Sequence, residues 1–103
     1  MVITGIGVVA PNGIGKQAYW DSLVAGKSGV DWITEFDTDP YPCKVAAKVQ
    51  DFNPGDFVAP RRAKQWGRFS QFAVAAARLA LDDSKLQISR ESPDRTLICI
   101  GNA

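Results

Sequence analysis

The sequence predicts an α/β layered fold, and three observations carry that expectation. Residues 2–9, "VITGIGVV", and 95–101, "RTLICIG", are apolar runs with almost no polar side, the pattern of strands buried on both faces. Residues 60–85 carry large apolar side chains and alanines at three- and four-residue steps, the pattern of an amphipathic helix. Taken along the chain the patterns alternate as β–α–β–α–β, which favours helices layered on a sheet.

The elements follow in order. The first strand stops at Pro11, and "PNGIG" (11–15) is turn chemistry: Pro sets φ, while Asn and Gly tolerate positive φ. Residues 16–25 place Ala18, Tyr19, Ser22 and Leu23 at helical spacing, with Trp20 and Val24 flanking them, and Gly26 is a natural residue to end that helix. "GVDWITEFDTDPYPCK" (29–44) reads as an ordered surface excursion anchored by its aromatics, and "CKVAAKV" (43–49) as a short strand with Lys44 and Lys48 on an exposed side. "QDFNPGDFVAP" is a turn-rich connection pinned by its two Asp-Phe pairs. Pro60 suits the first turn of the long helix, whose stripe comprises Trp66, Phe69, Phe72, Ala73, Ala76, Leu79 and Ala80. The alanines permit close approach by a neighbouring element. Two helices cover little more than one face of a sheet, so the chain reads as part of a larger layered domain.

Composition narrows the function classes. The 103 residues are 46% hydrophobic and 22% charged, as in an ordinary globular domain. A net charge of +1 gives no global attraction to nucleic acid, membrane or acidic surfaces. The N-terminus lacks the basic region of a secretory signal, and "FAVAAARLAL" is too short to span a bilayer, which points to the cytoplasm. Cys43 and Cys99 are far apart, and there is no histidine, so neither a Cys–His nucleophile nor a conventional zinc site is expected. Cys99 reads as a small buried hydrophobe within its strand.

The glycines near the N-terminus raise the question of phosphate binding, and the spacing answers it. A P-loop needs GxxxxGK[ST], but the stretch leading to Lys16 has Ala10 at the first glycine position and Gln17 after the lysine. Lys27-Ser28 has Asp21 where the first glycine belongs and follows a helix. Gly5 and Gly7 lie inside the predicted strand, so a dinucleotide turn is also unsupported. These glycines are expected to permit close packing against a central strand. No cofactor and no metal are expected.

"PRRAKQWGR" (60–68) concentrates Arg61, Arg62, Lys64 and Arg68 in one short stretch. On a continuous helix, residues 61, 64 and 68 would share a side. A solvated helix start is one reading of this cluster. Cations near a helix N-terminus oppose the macrodipole, and that cost favours the other reading, an anionic partner.

Taken together, "VITGIGVVAPNGIG", "YWDSLVAGKSGV", "FDTDPYPCKVAAKVQDF" and "RFSQFAVAAARLALDDS" resemble, in that order, the N-terminal portion of the β-ketoacyl-acyl-carrier-protein synthases. The resemblance covers essentially the whole chain. It implies a thiolase-like layered fold, of which 1–103 would be the N-terminal β-α-β-α-β portion of one half, without an internal boundary, in a homodimeric enzyme. It also implies decarboxylative condensation of an acyl group with a malonyl thioester, by a cysteine and two histidines downstream of this segment. Neither Cys43 nor Cys99 matches that nucleophile, so no catalytic residue is expected here and the segment alone should be inactive. What carries over is docking of acyl carrier protein. Arg61 and Lys64 match basic positions of that role, Gln65 stands where another base is common, and Arg62 and Arg68 are positioned to compensate. The family often has Met-Asp where this chain has Trp66-Gly67. That departure leaves open a non-catalytic, chain-length-determining relative or a specialised polyketide branch.

Overall fold

Local backbone chemistry sets the first elements. In this computed structural model, which describes residues 1–87 and 93–101, Val9–Ala10 (β1) and Gly13–Ile14 (β2) form an antiparallel hairpin, Val9 opposite Ile14 and Ala10 opposite Gly13. Pro11 and Asn12 make the turn. Gly15 then adopts φ 88° and ψ 154°, a conformation closed to most L-residues, and its amide donates to Val8 O at 2.8 Å. That bend launches helix α1, Lys16–Val24, which ends at Ala25 with Gly26 at φ 65°. The expected start and stop of this helix both hold.

A second hairpin follows, joining the strand expected within 43–49 to one that lies in the expected excursion. Val30–Trp32 (β3) pairs antiparallel with Val45–Ala47 (β4), Asp31 lying opposite Ala46. The loop between them is fastened by its own side chains. Phe36 meets Tyr41 edge-on at 6.0 Å, Lys44 pairs with Asp39 at 2.9 Å, and Lys48 pairs with Glu35. A 3-10 turn at Pro54–Asp56 comes next, capped by Asn53 Oδ1, which accepts from the Gly55 amide at 3.1 Å.

The long helix expected over 60–85 is two helices. Helix α2 is a single turn, Pro60–Ala63, and α3 runs Arg68–Ser84. The break centres on Gly67, whose φ −62° and ψ 154° are extended, so it precedes α3 as its N-cap residue. Glycine is among the poorest helix formers, about 1 kcal/mol worse than alanine in a helix interior, and here the chain uses it outside the helix. Lys85, at φ 56°, closes α3 in the left-handed region.

The N-terminal segment lies along α3. A Cβ built on Gly7 would stand 1.9 Å from Ala76 O, and one on Gly5 2.3 Å from Ala80 O. Thus the glycines do serve close packing, but against the alanine face of a helix and not against a central strand. Ala75 of α3 is fully buried, and Ala63 is the other buried hydrophobic residue among those described.

Two expected strands stay outside any ladder. Apart from Val9 in β1, residues 2–9 form no strand, and the 95–101 run begins in a second 3-10 turn, Pro93–Arg95, and continues as irregular backbone. Ile3, Leu97 and Ile98 are each more than four-fifths exposed, and Cys99 is exposed instead of buried. The reason is physical: a strand patterned for burial on both faces needs neighbours on both faces, and α3 supplies only one. The radius of gyration is 16.7 Å, against about 13 Å for a compact chain of this length. No helix among the described residues is long and apolar enough to cross a membrane.

Candidate functional site

The basic stretch forms a helical turn set between two loops. Ala59 is extended at φ −55° and ψ 135°, Pro60 occupies the first helical position, and the Arg62 and Ala63 amides both donate to Ala59 O, at 2.9 and 3.1 Å. The turn continues through Lys64 N to Pro60 O, 3.2 Å, and Gln65 N to Arg62 O, 3.0 Å. Arg61, Arg62 and Lys64 are exposed. None of these three side chains has a hydrogen-bond or ion-pair partner among the described residues.

This geometry alters two expectations. Arg61 and Arg62 lie in a helix of only one turn, whose first and last turns coincide and whose dipole is small, so the argument that their placement is costly loses its force. Arg68 is no longer on the same helix as Arg61 and Lys64, because Gly67 separates α2 from α3. Its guanidinium, though exposed, is held by contacts within the chain. Nη2 donates to Val49 O at 2.7 Å, and the group lies 4.9 Å from the Phe72 ring centre and 5.8 Å from that of Phe52. Phe52 in turn stacks on Phe57 at 5.7 Å and meets Phe72 edge-on at 4.8 Å. The first Asp-Phe pair therefore does anchor its loop, through the phenylalanine.

One residue to which the sequence assigns no role joins the two helices. The Gln71 side-chain amide, part-buried, donates to Ala63 O at 2.8 Å and to Trp66 O at 3.0 Å. It therefore ties the last residue of α2 and the break after it to α3. The available signal was a polar residue directly beside Phe72 of the apolar stripe, one turn after a glycine.

The glycine-rich N-terminus is occupied by structural contacts. Lys16 forms an ion pair with Asp83, whose other oxygen accepts from the Ile6 amide at 3.0 Å. The Lys16 hydrogen bond, followed by that of Ile6, holds the Asp83 carboxyl below the usual aspartate range. Lys48 does the same for Glu35. An open cleft of about 520 Å³ beside the first turn includes Lys27 and Lys48 but also Asp31 and Asp51, so its charges offset one another. No cluster of three or more metal-ligating side chains occurs among the described residues.

Comparison with known proteins gives the wider context. Residues 1–103 match the family described as Beta-ketoacyl synthase, N-terminal domain. The tetracenomycin polyketide synthase ketoacyl synthase alpha subunit of Streptomyces glaucescens is 44% identical over 104 residues, covering 100% of this chain and 24% of that protein. The 3-oxoacyl-[acyl-carrier-protein] synthase 2 of Staphylococcus aureus (strain COL) is 36% identical over 102 residues, covering 99% of this chain and 25% of that protein. The chain thus spans about a quarter of the length of these relatives. Among solved structures, the ishigamide ketosynthase/chain length factor superposes with a TM-score of 0.73 at 43% identity, covering 84% of this chain and 21% of that one. The thiolase-like layered fold expected from the sequence is therefore the fold of this segment.

Proposed function

The chain belongs to the β-ketoacyl synthase family, and from that premise we propose that it is the N-terminal portion of a 3-oxoacyl-acyl-carrier-protein synthase, presenting a docking turn for acyl carrier protein. The supporting observation is the free basic triplet Arg61, Arg62 and Lys64, exposed on a turn held by backbone hydrogen bonds to Ala59 O, Pro60 O and Arg62 O. Carrier proteins of this chemistry offer an acidic surface. Exposed cations steer the encounter with such a surface and make it salt-sensitive, adding less to affinity itself.

In the proposed reaction an acyl group passes from its carrier thioester to a cysteine thiol, releasing the carrier thiol. Malonyl thioester then loses CO₂, and the resulting carbanion attacks the acyl-enzyme carbonyl, forming the carbon–carbon bond and expelling the cysteine thiolate. This chain contains no histidine, so the two expected histidines and the nucleophile come from outside its 103 residues. Within the proposal, residues 1–103 form one unit without an internal boundary, scaffold and docking surface of a cytoplasmic homodimer.

A second reading has its own support. The ishigamide neighbour's name includes a chain length factor, so a non-catalytic, chain-length-determining subunit is the alternative. Incubating the full-length protein with acyl- and malonyl-carrier protein separates them. Release of CO₂ with formation of a 3-oxoacyl product supports the synthase, whereas carrier binding without product supports the non-catalytic subunit.

A further inference from the structure

We propose that Gln71 is a positioning residue for carrier docking: it fixes the basic turn to helix α3 and so sets where Arg61, Arg62 and Lys64 stand. This rests on the docking role proposed above. It does not follow from family membership, because Gln71 carries no charge and touches no substrate.

A single-turn helix is too short to hold itself, and the carbonyls at its end decide what does. Backbone amides answer Pro60 O and Arg62 O, but Ala63 O, the last of α2, receives only a long bond from Trp66 N, 3.4 Å. Gln71 supplies a shorter one to Ala63 O at 2.8 Å and a second to Trp66 O, in the break before α3, at 3.0 Å. Its own backbone amide donates to Gly67 O at 3.2 Å, so the residue is locked into the first turn of α3. Buried Ala63 is the pivot: the carbonyl that Gln71 holds belongs to the one residue of the turn packed inside. Arg68, just beyond the break, is exposed but tethered through Val49 O and the Phe52–Phe72 cluster, so its guanidinium is less free than those of the turn. The three free cations are then carried on a turn whose C-terminal side is fastened to α3. A rigid display costs less ordering on binding than three long side chains on a mobile loop.

The test uses the full-length synthase and two forms of one substrate, malonyl on acyl carrier protein and malonyl on a small pantetheine thioester. Gln71→Leu removes both donors at similar volume. It is expected to raise KM for the carrier-bound form about fivefold, the size of one net hydrogen bond, with kcat and the KM for the small thioester unchanged. Gln71→Glu sets an anionic acceptor against two carbonyl oxygens. It should show the same split at neutral pH and recover toward the parent as acid protonates the carboxyl and restores a donor. Equal losses on both substrates would mean a merely structural role and overturn the assignment. Arg61→Glu with Lys64→Glu is measured beside them. If that pair raises the carrier KM while the Gln71 variants do not, positioning fails and docking stands. If the pair leaves the carrier KM unchanged, docking itself fails and the assignment goes with it.

Discussion

Asp83 receives the Lys16 ammonium on one carboxylate oxygen and the Ile6 backbone amide on the other, so a single acid near the end of α3 ties down both the N-terminal segment and the start of α1. Lys16, the lysine that follows the glycine-rich turn, is thereby committed to a structural pair. Phosphate binding at that turn would have to compete with Asp83.

The pair predicts a pH dependence. Asp83 has a folded-state pKa below its unfolded value, with Lys16 the larger cause and the Ile6 amide the second. Its contribution is therefore fully present above the unfolded pKa of about 4 and is lost as pH falls through the folded value. Asp83→Asn should lower the melting temperature of the full-length protein at neutral pH, and the difference from the parent should shrink in acid. A difference that stays constant between about pH 7 and about pH 3 would show that the ion pair is not its source.

The close contact of Gly7 with α3 predicts a second effect. A methyl group there would meet backbone, Ala76 O at 1.9 Å and Ala80 N at 2.6 Å, so neither neighbour can rotate away. Gly7→Ala should destabilise the full-length protein by about 1–3 kcal/mol, the range for overpacking a close contact. Denaturant unfolding measures it. Gly15→Ala is the useful control, because Gly15 has open space around its Cβ position and only the strain of φ 88° to bear. If the two substitutions cost the same, close packing on α3 is not what Gly7 provides.

Much of this arrangement was legible in the sequence, and the rest failed for identifiable reasons. Gly26 at the end of α1 and Lys85 at the end of α3 sit where the hydrophobic periodicity stops, because helix ends depend on local chemistry. Strand β3 was missed because Val30-Asp31-Trp32 is short, and its pairing with Val45–Ala47 crosses a loop that no local pattern announces. The break before Arg68 was hidden because Trp66 and Phe69 keep helical spacing across Gly67. The partner of Gly5 and Gly7 was misjudged since glycine signals close approach without saying to what. In the basic cluster the sequence showed charge, and could not show that Arg68 alone is tethered to Val49 and Phe72.

Charge reversal at the turn tests docking directly. Arg61→Glu with Lys64→Glu replaces two free cations by anions facing an acidic partner. Affinity of the full-length protein for acyl carrier protein should fall roughly tenfold or more at low salt, with most of the difference screened away as ionic strength approaches 1 M. Titration with fluorescently labelled carrier protein at several salt concentrations measures both. Unchanged affinity at low salt would remove the docking role.

The exposed apolar segments predict self-association of the 103-residue chain in isolation. Val2, Ile3, Leu97, Ile98 and Ile100 are all largely exposed, and contiguous apolar surface of this kind drives association. Sedimentation should show oligomers or aggregates, and an apolar dye should bind. A monomer that melts cooperatively would mean that the outer strands find cover within these residues.

Gly67, which stands before α3, carries the last prediction. The residue is the N-cap of α3, extended at ψ 154°, and it makes no side-chain cap bond to the free amides of the first turn. Asp at that position would accept from those amides and place a negative charge against the positive end of the helix. The obstacle is the Phe69 ring, whose Cε1 lies 2.9 Å from the position a Cβ would take, but the ring is an exposed side chain able to rotate. Gly67→Asp should therefore stabilise the full-length protein by a few tenths of a kcal/mol, roughly the difference between glycine and a good N-cap. Gly67→Ala meets the same ring and gains no acceptor, so it should be neutral or destabilising. If Ala and Asp shift the unfolding midpoint equally, capping is not the cause, and the effect lies in the reduced freedom of the unfolded chain.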